Sequence, residues 1–155
     1  MLFRSGSADS PTGMERLAGY REALARHGIP VREALIAPGK WTPACGAAGV
    51  STLLARGVSF SALIASNDDM AIGAIKQLHE CGVSVPEQVS VVGFDDIALA
   101  PYVIPSLASV KMPVTEMIQE TISRLITMVE EGEPEALPSF SGKLVRRDSL
   151  KRLLE

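Results

Sequence analysis

Short apolar runs alternate with longer amphipathic stretches along this chain, and turn residues divide them. Leu35-Ile36, Ala62 to Ala65 and Val89 to Val92 are apolar runs of strand length. Ser10-Pro11 pairs an N-cap residue with Pro at the first helical position. Leu17, Ala18, Leu24 and Ala25 stripe the helix it opens, which runs to about Arg26 or His27 and stops at Gly28. Thr42-Pro43 repeats that start, for a helix running to about Arg56 and ending at Gly57. Asn67 or Asp68 caps a third helix, which ends near Cys81 with Gly82 as its stop. The resulting order, β-α-β-α-β-α-β with short connections, predicts an α/β fold with a doubly wound parallel sheet and right-handed crossovers.

The stretch Val85 to Asp96, V-P-E-Q-V-S-V-V-G-F-D-D, organises this alternation. Its β-branched centre suits a strand covered on both faces, and Gly93 marks the end of the run. Asp95 and Asp96 follow at once, where an open α/β sheet binds ligands, beyond the carboxyl ends of its strands. After Asp96 the rhythm breaks. Ile97 to Pro105 reads as a loop or a single turn, and Leu107 to Val110 as a short strand. Pro113 opens a long helix to about Glu131, with Val114, Met117, Ile118, Ile122, Leu125, Met128 and Val129 at helical spacing. Gly132 ends it, and a last extended piece spans Lys143 to Val145.

The 155 residues are enough for one domain or two small lobes, burying roughly 70% of the unfolded surface. A net charge of −3, with acids and bases mixed and no Lys/Arg run, leaves no electrostatic footprint for nucleic acid in this piece. No apolar run approaches the ~20 residues of a membrane span. Cys45 and Cys81, far apart in sequence, suit a reducing cytosol better than a disulfide framework. With two histidines and no C-x-x-C, a zinc site has little to build on, and no cofactor is expected.

Two segments carry a family resemblance: Val85 to Asp96, and Ala62 to Ala74, A-L-I-A-S-N-D-D-M-A-I-G-A. Together they resemble the sensing domain of the LacI/GalR family of bacterial transcriptional regulators, and the likeness extends from Gly6 to about Ser149. It implies a type I periplasmic-binding-protein-like fold, incomplete here. Residues 6–110 would be the C-terminal lobe, 111–138 a helix of the other lobe, and 139–155 a return to the first lobe with its tail. The other lobe's strands and the helix-turn-helix DNA-binding headpiece would be absent. Residues 1–5 read two ways. Leu2-Phe3-Arg4-Ser5 matches a translated sequencing adapter, hence a non-native leader, or it is a strand end carrying one Arg.

Asn67 and Asp95 follow strands at the same sheet edge. An amide and a carboxylate there suit a vicinal diol, which offers donors and acceptors. By composition alone they read better as a helix cap and a loop acid, but the matching family positions bind effector. Arg16 is a solvated helix residue or, as the family implies, a clamp reaching into the cleft. Ser10 and Thr12 could add hydroxyl contacts, although both are ordinary cap residues. Trp41, the only tryptophan, sits in the loop P-G-K-W-T-P. It is either a platform for the C–H face of a sugar or an indole partly buried under its loop. Asp68, Asp69 and Asp96 are weaker candidates, and Phe94 should point away from Asp95 into packing. Val114 stands where some relatives carry a ring-stacking aromatic.

An enzyme finds little support. The Asp pairs could hold Mg²⁺, but phosphoryl transfer wants an acid at the first strand's end and a lysine near a later one. The first acid is Asp9, and Lys111 is the only lysine close to a strand end. There is no G-x-S-x-G, P-loop or G-x-G-x-x-G after a strand. Gly46-x-x-Gly49 reads as helix packing. The resemblance therefore implies a cytoplasmic, allosteric, non-enzymatic sensor. A small-molecule effector, a sugar or derivative, would modulate operator binding by the missing headpiece. The alternative is the periplasmic sugar-binding component of an ABC importer, which shares the fold. Val85-Pro86-Glu87 and the ending Leu144-Val145-Arg146-Arg147-Asp148-Ser149 favour the regulator.

The resemblance also implies a homodimer, through Met70 to Glu80 and the uncharged loop Ile97 to Ile104. Met70, Ile72 and Val103 are its candidate contacts.

Overall fold

A computed structural model describes residues 2–4, 10–132 and 138–151. Met1 and Ser5 of the expected leader, the expected start of the first lobe at Gly6, residues 133–137 and the last four residues lie outside that range. The elements are β1 (Leu2–Arg4), α1 (Pro11–Arg26), β2 (Ile36–Ala37), α2 (Pro43–Ala55), β3 (Ala62–Ala65), α3 (Asp68–Glu80), β4 (Ser90–Phe94), β5 (Ala108–Lys111), α4 (Val114–Glu131) and β6 (Lys143–Val145).

They form one sheet in the order β2-β1-β3-β4-β5-β6. The first five strands are parallel, and β6 runs antiparallel along β5. The order reverses direction between β1 and β3, and such a switch point opens a crevice beyond the strand ends.

Local chemistry sets the helix ends. The Thr42 hydroxyl accepts the Cys45 N–H at 3.3 Å and the Asn67 side chain accepts the Met70 N–H at 2.9 Å, so two helices begin on side-chain caps. Pro11 and Pro43 each fill a first helical position. Ser10 departs from expectation. It is extended, as an N-cap should be, yet its side chain makes no capping bond, and Pro11 starts α1 without it. Gly132 closes α4 in the left-handed conformation, φ +79°.

The main core lies between the sheet and the pair α2/α3. Leu53, Leu63, Met70, Leu78, Val91 and Leu107 are fully buried there. α1 covers the other face, packing Tyr20 and Leu24 over Ile36 and Ile64. α2 and α3 cross at backbone contact. A Cβ on Gly46 would lie 2.0 Å from the Met70 carbonyl oxygen, and one on Gly73 would lie 1.9 Å from that of Pro43. Gly46 is thus the packing feature its place in a helix implied. α4 stands apart, with no buried residue, and its Val114, Ile118, Ile122, Leu125 and Val129 are exposed.

Two expectations need correction. Met70 cannot be an interface residue, because it is 0% exposed in the core of its own chain. Met70, Ala71, Ala74, Ile75 and Leu78 are all buried because α3 is enclosed by the sheet on one side and α2 on another. Of the apolar residues named on this helix, Ile72 is part-exposed and Ile75 keeps 6% of its surface. The second correction concerns Gly93, which lies inside β4 rather than ending it. A Cβ there would lie 2.0 Å from Asp68 Oδ1, so this strand position must lack a side chain to admit that carboxylate.

Candidate functional site

The carboxyl edge of the sheet brings together residues from three separate segments. β3 leads into Ser66 and Asn67, β4 ends at Phe94 and leads into Asp95, and α1 sends Arg16 across both. The Arg16 guanidinium donates to the Ser66 carbonyl through Nη1 and to Asp95 Oδ1 through Nη2, the latter at 3.2 Å. Its Cζ lies 3.7 Å from the centre of the Phe94 ring and 5.5 Å from that of Trp41. Stacking and two acceptors hold the group in one orientation before any ligand arrives.

Phe94 is therefore not simply turned away into packing. Along β4, Val91 and Gly93 face α2/α3 and are buried, whereas Val92 and Phe94 face α1. The alternation puts Phe94 directly beneath Arg16. The strand period was readable, but which helix covers that face was not.

Asn67 realises the cap role. Its Oδ1 takes the Met70 N–H, and its Nδ2 donates to the Trp41 carbonyl at 3.3 Å. Among the described residues, one N–H and one lone pair of the amide are left for a further partner. The same hydrogen bond ties the Trp41 loop to the head of α3. The indole is half-buried, packs against the main core and borders Arg16, which matches an indole partly buried under its loop.

Asp95 keeps 44% of its side chain exposed beside Arg16. Burial raises its carboxyl pKa, the Arg16 charge and hydrogen bond oppose that rise, and Asp69 adds to it. Asp96 points elsewhere. Arg147 Nη2 binds it at 2.6 Å while Nη1 donates to the Leu107 carbonyl, and Lys111 Nζ lies 3.8 Å away. Among the described residues no hydrogen bond joins Ser10 or Thr12 to the Arg16 group, although Thr12 lies one helical turn before Arg16.

Asp95 also borders an open cleft of about 620 Å³, with Lys111, Met112, Val114, Thr115 and Lys143 among its lining. Lys111 and Lys143 are directly paired across β5 and β6. Sequence reasoning missed this pairing, because β6 arrives from far along the chain and runs antiparallel. It also missed Asp68, which is fully buried, its carboxyl raised chiefly by burial. Among the described residues, no group of three His, Cys, Asp or Glu is placed to hold a metal ion. Nor is any helix there long and apolar enough to cross a membrane.

This arrangement presents a fixed cation, a half-exposed acid, an amide and an indole at one edge, which suits a small hydroxyl-rich molecule. Known proteins place it further. The periplasmic binding protein-like domain family matches residues 1–150. The HTH-type transcriptional regulator AscG of Escherichia coli (strain K12) is 69% identical over 150 residues, covering 97% of this chain and 45% of that protein. Among solved structures, a sugar-binding LacI-family regulator from Escherichia coli, complexed with phosphate, superposes with a TM-score of 0.91 at 68% identity. That match covers 96% of this chain and 54% of the other. The regulator CelR, in complex with cellobiose, superposes with a TM-score of 0.88 at 34% identity, covering 96% of this chain and 46% of CelR. The chain spans about half the length of the relatives it matches. These relatives are transcriptional regulators, which favours that reading over the importer component and over an enzyme. The chain belongs to the periplasmic binding protein-like domain family, in the form carried by LacI-family transcriptional regulators.

Proposed function

We propose that this chain is the effector-sensing part of a cytoplasmic transcriptional regulator, and that its effector is a sugar or sugar derivative. Arg16, Asp95, Asn67 and Trp41 contact the ligand, with Ser10 and Thr12 as further hydroxyl donors. The observation that carries this reading is the pinned Arg16 guanidinium, held between Asp95 and the Ser66 carbonyl over Phe94. A guanidinium already oriented loses little freedom when it binds hydroxyls or a carboxylate. The cellobiose complex of CelR supports a carbohydrate.

The effector sits between this lobe and a second one, to which the exposed apolar face of α4 belongs. It acts by binding one lobe arrangement better than the other, and the difference is felt at a helix-turn-helix headpiece. The regulator works as a homodimer through the loop after Asp96. Leu99, Tyr102 and Ile104 are exposed there, and Ile72, Val103 and Ile104 line one groove.

A thermal-shift screen of sugars, sugar phosphates and nucleobases tests the site, on the protein extended to its relatives' length. A binder at 100 times its dissociation constant adds about 2.7 kcal/mol of stability. Asp95→Ala should lose that shift and melt close to wild type without ligand. A variant that binds unchanged, or that melts before ligand is added, refutes the assignment.

A further inference from the structure

We propose that Asp68 is the positioning residue for Asp95: its carboxylate pins the turn from which Asp95 reaches the cleft. The inference rests on reading Asp95 as a ligand-binding acid.

Asp95 and Asp96 both have positive φ, 109° and 53°. Two successive non-glycine residues in that region are strained, and they persist only where their surroundings hold them. Here the holding groups are specific. Asp68 Oδ2 accepts the Ile97 N–H at 2.8 Å. Asp68 Oδ1 accepts the Ser109 hydroxyl at 2.6 Å, and Ser109 Oγ in turn accepts the Asp96 N–H at 3.0 Å. One carboxylate thereby fixes two consecutive amides of the turn, one directly and one through a relay.

The fold makes room for this at some cost. Gly93 and Ser109 are register partners in β4 and β5, so the Asp68 carboxylate lies over the missing side chain of one and reaches the hydroxyl of the other. Asp68 is 0% exposed, whereas its neighbour Asp69 is exposed at the same helix start. An acid serving only the helix dipole would do so from the surface, as Asp69 does. A buried carboxylate is unfavourable unless its hydrogen bonds are satisfied, and here one bond goes to the Asp95 turn and the other to the Ser109 hydroxyl that holds it.

Amide hydrogen exchange followed by NMR on this chain tests the proposal without any ligand. An Asn at 68 keeps one oxygen and turns an N–H toward the donor that loses its acceptor. In Asp68→Asn at least one of the Asp96 and Ile97 amides should exchange about tenfold faster, as expected when a hydrogen bond to a charged group, or the relay through it, is lost. The β4 amides of Val91 and Val92 should keep their wild-type rates. The Arg16 guanidinium should rotate faster in nitrogen-15 spectra as Asp95 moves off it. In Ser109→Ala, acceleration should be confined to Asp96 and leave Ile97 as it was. That second pattern decides the question if Asp68→Asn does not fold. Uniform acceleration through β4 would make Asp68 a stability element only, and unchanged rates at 96 and 97 would remove the clamp altogether; either overturns the proposal. Failure of the Asp95 reading would appear instead in the ligand titration of Asp95→Ala, with these exchange rates undisturbed.

Discussion

Gly73→Ala offers a test in which two well-known effects oppose each other. By helix propensity the substitution stabilises a helix interior by about 1 kcal/mol. By packing it should do the reverse. The new Cβ would lie 1.9 Å from the Pro43 carbonyl oxygen, 2.6 Å from its carbon and 2.8 Å from the Pro43 Cα. All three are backbone atoms, so no rotamer change relieves the overlap. Reaching the 3.4 Å of ordinary contact requires α2 and α3 to part by about 1.5 Å. A gap of 0.5–1 Å already forfeits roughly a quarter to a half of a contact's dispersion energy. The helices share a core with Val50, Leu53, Met70 and Ala74, all buried. A loss of about 3 to 4 kcal/mol in packing, less about 1 kcal/mol of propensity, leaves a net destabilisation of about 2 to 3 kcal/mol. For a chain of this size that lowers the melting temperature by about 5 to 10 °C. Gly19→Ala is the control, since nothing lies within 4 Å of a Cβ at that α1 position. It should gain up to about 1 kcal/mol. Urea melts of both variants and the wild type are the assay. A Gly73→Ala chain as stable as wild type, or stabilised like Gly19→Ala, would refute the account of the α2/α3 crossing. The consequence reaches the site, because α3 carries Asn67 and Asp68 at its head.

Other expectations follow from the same geometry. Arg16→Lys keeps the charge but loses the planar stack on Phe94, so it should weaken effector binding at least about tenfold and alter Trp41 fluorescence; unchanged affinity by calorimetry would show that charge alone matters. The pH response has a defined sign. Because Asp95 titrates above the ordinary carboxylate value, its contribution to stability is present below the unfolded value of about 3.9 and lost as pH rises through the raised one. Effector binding needs the carboxylate and runs the opposite way, so affinity should begin to fall on acidification at a higher pH than an ordinary Asp would dictate. An affinity that is flat down to about pH 4 would contradict this. Val103→Asp should convert a dimer of the extended protein to monomer in sedimentation; a dimer that persists unchanged removes the 97–104 loop as the interface.

Much of the fold was legible because its signals are local. Pro at the starts of α1 and α2, the Thr42 and Asn67 caps and the glycine stops depend on backbone chemistry within one turn. The ends of α1, α2 and α3 fall within one or two residues of the positions they imply. Ala62–Ala65 was equally plain, a short apolar run between turn residues. Asn67 and Asp95 stand out by their place beyond strand ends together with the family motifs, Arg16 by the family motif and Trp41 by its loop, and the fold brings these four residues to one edge.

What remained hidden depends on pairs of residues far apart in the chain. No local pattern distinguishes Asp68 from Asp69, since both are acids in a first helical turn. Only the seating of α3 over Gly93 and Ser109 buries one and leaves the other in water. The burial of Met70 follows from α2 closing over α3, a contact made possible by glycines on both helices. Phe94 stacks on Arg16 because α1 crosses that face of the sheet at β4. Periodicity tells a strand that it has two faces. Which partner covers each face, and hence which polar groups are buried and satisfied, is decided only when the sheet order is complete.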